Sequence, residues 1–177
     1  MTLTPVARKF ILHWGEMGAR WGINRTVAQI HALLYLSPKP LHAEEIAQTL
    51  SVARSNVSSS LRELQGWGIV RVTHQLGDRR DHFESMKDVW EMFRVIVEER
   101  KRREIDPTIE LLRSCVADVE KAGATESYTR ERIKEMLEFM EGMIAVYAEV
   151  GGVPAGALRQ LTRLRGRLKK LIGGKMK

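Results

Sequence analysis

The sequence predicts a mainly α-helical fold interrupted by one small β-hairpin, and three observations predict it. Apolar residues recur every three or four positions through most of the 177 residues. One short stretch, Ile69–His74, instead alternates β-branched and polar residues, which reads as a strand. Gly and Pro punctuate the ends of several periodic segments, as at Gly22, Pro38, Pro40, Gly68 and Gly123.

The first helix is expected over residues 3–21, with Val6, Phe10, Trp14, Met17 and Trp21 on one face. Gly22 and Asn24 break it. A second helix runs from Thr26 to Leu36 with Val27, Ile30, Leu33 and Leu34 inward, and Ser37-Pro38-Lys39-Pro40 ends it, since each proline disfavours helix at the residue before it. His42–Leu50 is a short helix with Ile46, Ala47 and Leu50 inward. Ser51-Val52 makes a tight connection to a helix over Ala53–Trp67, whose inward residues are Val57, Leu61 and Leu64. The strand Ile69–His74 follows, then a polar turn, Leu76–Asp81, and a short return strand, His82–Met86.

Helix resumes over about 87–104 with the stripe Val89, Trp90, Phe93, Ile96 and Val97, and charges four apart support its outer side. Pro107 opens the next helix, with Ile109, Leu112, Cys115, Val116 and Val119 inward and Gly123 at its end. Thr129–Val150 carries Ile133, Met136, Leu137, Met140, Ile144 and Tyr147 inward. After the break at residues 151–154, Leu158, Leu161, Leu164, Leu168 and Leu171 mark a final amphipathic helix. The expected organisation is N-terminal helices for dimerisation or ligand binding (1–36), a central module (37–86), dimerisation helices (87–153) and a basic C-terminal helix (154–177).

Helix, tight turn, helix, strand, polar turn, strand is the order of a winged helix-turn-helix with a two-stranded wing. A helix fits the major groove of DNA, where its outward side chains reach base edges. With Val57, Leu61 and Leu64 facing the core, a rotation of 100° per residue puts Ser55, Ser59 and Arg62 on the opposite face, flanked by Asn56 and Ser58, and Arg54 at the start of the helix is a further candidate DNA contact. Short hydrogen-bonding side chains of this kind permit close approach to double-stranded DNA. The hairpin supplies Arg71, His74, Arg79, Arg80 and His82, with Arg79 and Arg80 expected at its tip, a charge suited to the minor groove or the adjoining phosphates. The bland alternative is a solvated face on a module that serves protein contacts or a chromosome-associated scaffold without sequence-specific DNA binding.

The stretch AEEIAQTLSVARSNVSSSLRELQGWGIVRVTHQLGDRRDHF resembles the DNA-binding core of MarR-type regulators. The opening FILHWGEMGARWGINR, the wing sequence RRDHFE and the segment DVWEMFRVIVEERKRREIDPTIE resemble the GbsR-like branch of that family. The resemblance covers roughly residues 5–150. It implies a homodimer held by its terminal helices and acting as a transcriptional regulator, most often a repressor. It also implies that Asp78-Arg79-Arg80 forms the D-x-R wing motif, in which Asp78 orients Arg80 into the minor groove. The pattern departs at Ala53, where a helix-capping Ser is more usual. It finds no counterpart for the tail after Pro154.

GbsR-like regulators are associated with osmoprotectant metabolism, and some respond to choline-type compounds. On that resemblance Phe10, Trp14, Trp21, Trp90 and Tyr147 are candidates for an aromatic cage around a small cationic effector such as a quaternary ammonium compound. The plainer reading of the same stripe is dimer core.

Charge and composition bound the rest. The net charge of +7 comes from the tail, because residues 154–177 hold eight basic residues and no acid. The case for DNA therefore rests on local patterning: Ser51–Arg80 carries five Arg against two acids. The tail suits a DNA clamp, an anionic-membrane patch or a solvated helix packed on the body. No apolar run reaches the ~18 residues of a membrane span, and the start lacks a signal-peptide core. Cys115 is the only cysteine, so a reducing, cytoplasmic setting is expected, with Cys115 a packed thiol. The five histidines lack metal-ligand spacing, and Ser58-Ser59-Ser60 has no assignable His/Asp partner. No metal, cofactor or enzymatic activity is expected.

Overall fold

The computed structural model describes residues 2–122, 127–151 and 156. The chain divides into two compact units after Ile96.

The first unit begins with α1 (Pro5–Arg20) and α2 (Arg25–Leu36). Thr4 caps α1 by accepting from the Ala7 N–H at 3.2 Å, with Pro5 pre-set at the first helical position. Asn24 caps α2 through the Thr26 N–H at 2.8 Å. The two helices meet along Ile11, Gly15 and Gly18, a face adjoining the expected aromatic stripe. Phe10, Trp14 and Met17 are only half-buried, while Val6 and Trp21 are exposed. Two glycines explain the shift. They let α2 approach so closely that a Cβ at Gly18 would stand 2.6 Å from the Ala28 Cβ. α2 itself is wrapped on nearly every side, with Ile30, Leu33 and Leu34 at the centre of the core.

A two-residue strand, β1 (Leu41–His42), leads into α3 (Ala43–Leu50), which turns at Ser51 (φ 55°, left-handed) towards α4 (Arg54–Gly66). The hairpin is β2 (Val70–Gln75) and β3 (Asp78–Ser85). The sequence foresaw the two-stranded wing but not β1, which pairs with β3 and makes a three-stranded antiparallel sheet of order β1-β3-β2. The expected polar turn is also shorter than foreseen. Only Leu76 and Gly77 connect the strands, with Gly77 at φ 83°, so Arg79 and Arg80 stand on β3 and not at the tip. The reason is a register irregularity. Thr73 pairs with His82 but Gln75 pairs with Asp78, so β3 carries the excess residues and bulges there.

α5 (Val89–Arg100) leaves the sheet, burying Met92 and leaning Val95 and Ile96 on the core. It ends earlier than the helix the sequence suggested, giving way to a π-helical segment, Lys101–Ile105. In the second unit α6 (Asp106–Ala122) and α7 (Ser127–Gly151) pack on each other. Ile109 is buried, and Leu112, Val116, Val119, Ile133, Leu137, Ile144 and Tyr147 are half-buried, while Met136, expected inward, is exposed. Cys115 is a half-buried free thiol. The final leucine-rich helix expected at residues 158–171 lies outside the described residues. Among the described residues no helix is long and apolar enough to cross a membrane.

Candidate nucleic-acid interface

α4 is fixed from below by Val57, Ser60, Leu61 and Leu64, all buried. That anchoring sends Arg54, Ser55, Asn56, Ser58, Ser59 and Arg62 outward, and every one of them is exposed. Ala53 makes no side-chain cap, as its residue type requires, so the first turn of α4 offers backbone N–H groups with no capping side chain. Ser59 donates back to the Ser55 carbonyl at 3.0 Å, which leaves its hydroxyl oxygen free to accept. Among the described residues Arg62 and Arg79 make no ion pair, whereas Arg54 stands 4.0 Å from Glu44 and Arg71 pairs across the strands with Glu84. Arg62 and Arg79 are therefore the cations with most freedom to engage a phosphate or a base.

Arg80 is held differently. Its Nε donates to Asp78 at 2.9 Å and its Nη2 at 2.6 Å, a bidentate pairing two residues apart. The Arg80 backbone N–H donates to the same carboxylate at 3.0 Å. These bonds hold the Asp78 carboxyl well below the usual carboxylate range, so it stays ionised as the partner of the guanidinium. Residues 78 and 80, two apart on β3, point to the same face of the strand, which brings the carboxylate and the guanidinium together beside the irregular stretch of the ladder. On its other side Arg80 Nη1 lies 2.9 Å from His42 Nε2. His82, counted from sequence among the wing's cations, is buried; its Nδ1 donates to the Arg80 carbonyl at 3.0 Å.

The aromatic candidates do not converge as a set. Phe10 and Trp14 stack, centroids 5.3 Å apart, and line a mainly apolar cavity of about 210 Å³ with His31, Tyr35 and Met92. Trp21 is 54 % exposed, Trp90 does not line this cavity, and Tyr147 belongs to the second unit. His31 and Tyr35 were not foreseen; a helical spacing of four from His31 to Tyr35 was the available signal. His31 is 4 % exposed, and its Nε2 finds no hydrogen-bond partner among the described residues. Burial, and then the charge of Lys87, push its pKa down to about 4, so the ring is neutral. Lys87 Nζ is spent on α2, donating to the carbonyls of Leu34, Tyr35 and Ser37 at 2.8, 2.9 and 2.8 Å.

Comparison with known proteins points the same way. Residues 21–81 match the MarR family. The HTH-type transcriptional repressor GbsR of Bacillus subtilis (strain 168) is 22 % identical over 121 residues, which span 68 % of this chain and 67 % of that protein. YvaV of the same organism, a protein named as an HTH-type transcriptional regulator, is 24 % identical over 140 residues, covering 75 % of this chain and 78 % of its own. A crystal structure of a transcriptional regulator superposes with a TM-score of 0.67 at 21 % identity, over 84 % of this chain and 97 % of that one.

Proposed function

We propose that the protein is a sequence-specific, double-stranded-DNA-binding transcriptional regulator acting as a dimeric repressor, a reading supported by the match of residues 21–81 to the MarR family and by the winged-helix fold. The observation that carries the reading is a coincidence of surfaces. The small polar face of α4 and the arginines of the wing are exposed together on the two elements that this architecture brings to DNA. In this reading α4 enters the major groove, with Arg62, Asn56 and the serines at base edges or phosphates. Arg80, oriented by Asp78, enters the minor groove. The names of the two Bacillus relatives, a repressor and a regulator, support the class.

The dimer is supported by α7, which has a second apolar face. Met136, Phe139, Met143 and Val146 are 52–63 % exposed at helical spacing. A second copy covering this stripe would give two recognition helices and an inverted-repeat operator, half-site centres about one turn or ~10 bp apart. Control by a small ligand is assigned to the cavity beside Phe10 and Trp14, with Tyr35 as a third ring; it would take a cationic effector such as a quaternary ammonium compound against the ring faces.

Purified protein mixed with the DNA upstream of its own gene, with excess unrelated DNA as competitor, tests the main reading. Specific retention is expected, and retention equal to the competitor's would replace it with a winged-helix scaffold. A trimethylammonium compound added to the same mixture should quench tryptophan fluorescence and lower operator affinity by linkage.

A further inference from the structure

Two donors converge on one histidine. His42 is the N-cap of α3: its Nδ1 lies 3.3 Å from the Glu45 N–H, and Glu45 Oε2 accepts from the His42 N–H at 3.1 Å. From the other side of the ring Arg80 Nη1 stands 2.9 Å from Nε2. A neutral imidazole has one lone pair to offer, so it accepts from the helix or from the wing, never from both. The shorter contact is to the charged donor, and charge-assisted bonds are the stronger kind. His42 reaches Arg80 because β1 pairs directly with β3 and places His42 opposite His82, ring centroids 5.6 Å apart.

We propose that His42 is a positioning residue of the wing, a second anchor that, with Asp78, fixes the plane of the Arg80 guanidinium before DNA is met. Asp78 takes the Nε and Nη2 edge and His42 takes Nη1. Each terminal nitrogen keeps one N–H, and the side chain stays 59 % exposed. The lone pair requires the proton on Nδ1. When Arg80 shifts into a groove, the proton moves to Nε2 through solvent and the freed Nδ1 caps α3, so the ring is satisfied in either state. An imidazolium does neither, because both nitrogens then donate and its charge faces the guanidinium. The charged and titratable groups around the ring are Arg80, Glu45 (Oε2 3.5 Å from Nε2), Lys39 (4.0 Å from Glu45), and His82 and Asp78, themselves 3.6 Å apart.

The inference rests on the DNA-binding reading for its effect but not for its geometry, and the test separates the two. Asparagine places its oxygen where Nδ1 stands and glutamine where Nε2 stands. H42N therefore keeps the helix cap and drops Arg80, while H42Q keeps Arg80 and drops the cap. Operator titrations are run at fixed salt and one neutral pH. H42N should bind about three- to tenfold more weakly than wild type, the effect of one partly exposed charge-assisted bond, and H42Q within about twofold. H42N binding as tightly as wild type, or H42Q binding as weakly as H42N, overturns the proposal. Side-chain nitrogen NMR of the free protein reads the anchor without DNA. A proton on Nδ1 of His42 is expected, and a proton on Nε2 overturns the geometry. If wild type retains no operator yet carries the Nδ1 proton, the functional reading fails and the anchor stands.

Discussion

His31 makes the first unit sensitive to acid, and the size of the effect follows from its surroundings. The ring lies on the buried side of α2 with Nε2 unpartnered among the described residues. Burial and Lys87 lower its pKa from 6.5 to about 4. Between those values the unfolded chain binds a proton that the folded chain refuses. Stability is therefore complete above the unfolded value and is lost as pH falls towards the folded one. At ~1.36 kcal/mol per unit of mismatch, the loss on going from about pH 7.5 to about pH 4.5 is roughly 2–3 kcal/mol. That is a large part of a domain's typical ~5–15 kcal/mol. The variant His31→Leu keeps the volume approximately and removes the titration. Urea unfolding of both proteins at the two pH values, followed by tryptophan fluorescence, gives the difference directly, because carboxylate titrations common to both cancel. Wild type should lose roughly 2–3 kcal/mol more than the variant on acidification. A wild-type-minus-variant difference that stays constant with pH would refute the reasoning and mean that His31 is solvated or paired when folded.

The wing gives a prediction of sign: Arg80→Ala should weaken operator binding more than Arg79→Ala, and Asp78→Ala should weaken it too, although removing a negative charge favours DNA by simple electrostatics. Tighter binding by Asp78→Ala in titrations at fixed salt would reduce the wing to a generic phosphate contact. Gly18→Ala should lower stability by about 1–3 kcal/mol through overpacking, partly offset by about 1 kcal/mol of helix propensity, since its Cβ would meet the fixed Ala28 methyl group. Gly15→Ala should cost less by urea unfolding, because the obstacle there is the flexible Gln29 side chain. Lys87→Met keeps the aliphatic stem but frees three carbonyls at the end of α2. A loss of about 1–2 kcal/mol is expected by thermal or urea unfolding, discounted because the ammonium is partly solvated.

What could be read from the sequence depended on whether one side of an element alone is buried. α4 is anchored on a single face, so Val57, Leu61 and Leu64 fixed its phase and its outward residues followed by rotation. α2 is buried nearly all round, and its periodicity could mark a helix but not single out His31 or Tyr35 as cavity-facing. α1 misled because large aromatics outweigh glycine in any hydrophobic count. The contact with α2 is made where side chains are absent, at Gly15 and Gly18, and the rings of Phe10 and Trp14 are left to line a cavity. In α7 the apolar pattern covers two faces, one against α6 and one exposed among the described residues, and Met136, expected inward, stands on the exposed one. The wing shows the limit most clearly. The D-x-R spacing marked Asp78 and Arg80 as partners, but their setting on a bulged strand depends on pairing with β2. Arg80's second partner depends on β1, a strand of two residues, too short to alternate. A capping-box reading of His42 and Glu45 was available at their three-residue spacing, yet histidine is not a usual cap residue. Its choice over Ser or Asp has a physical consequence that neither of those residues could supply. A hydroxyl or carboxylate caps the helix but ends short of the wing, whereas an imidazole extends a second nitrogen across β1 to Arg80.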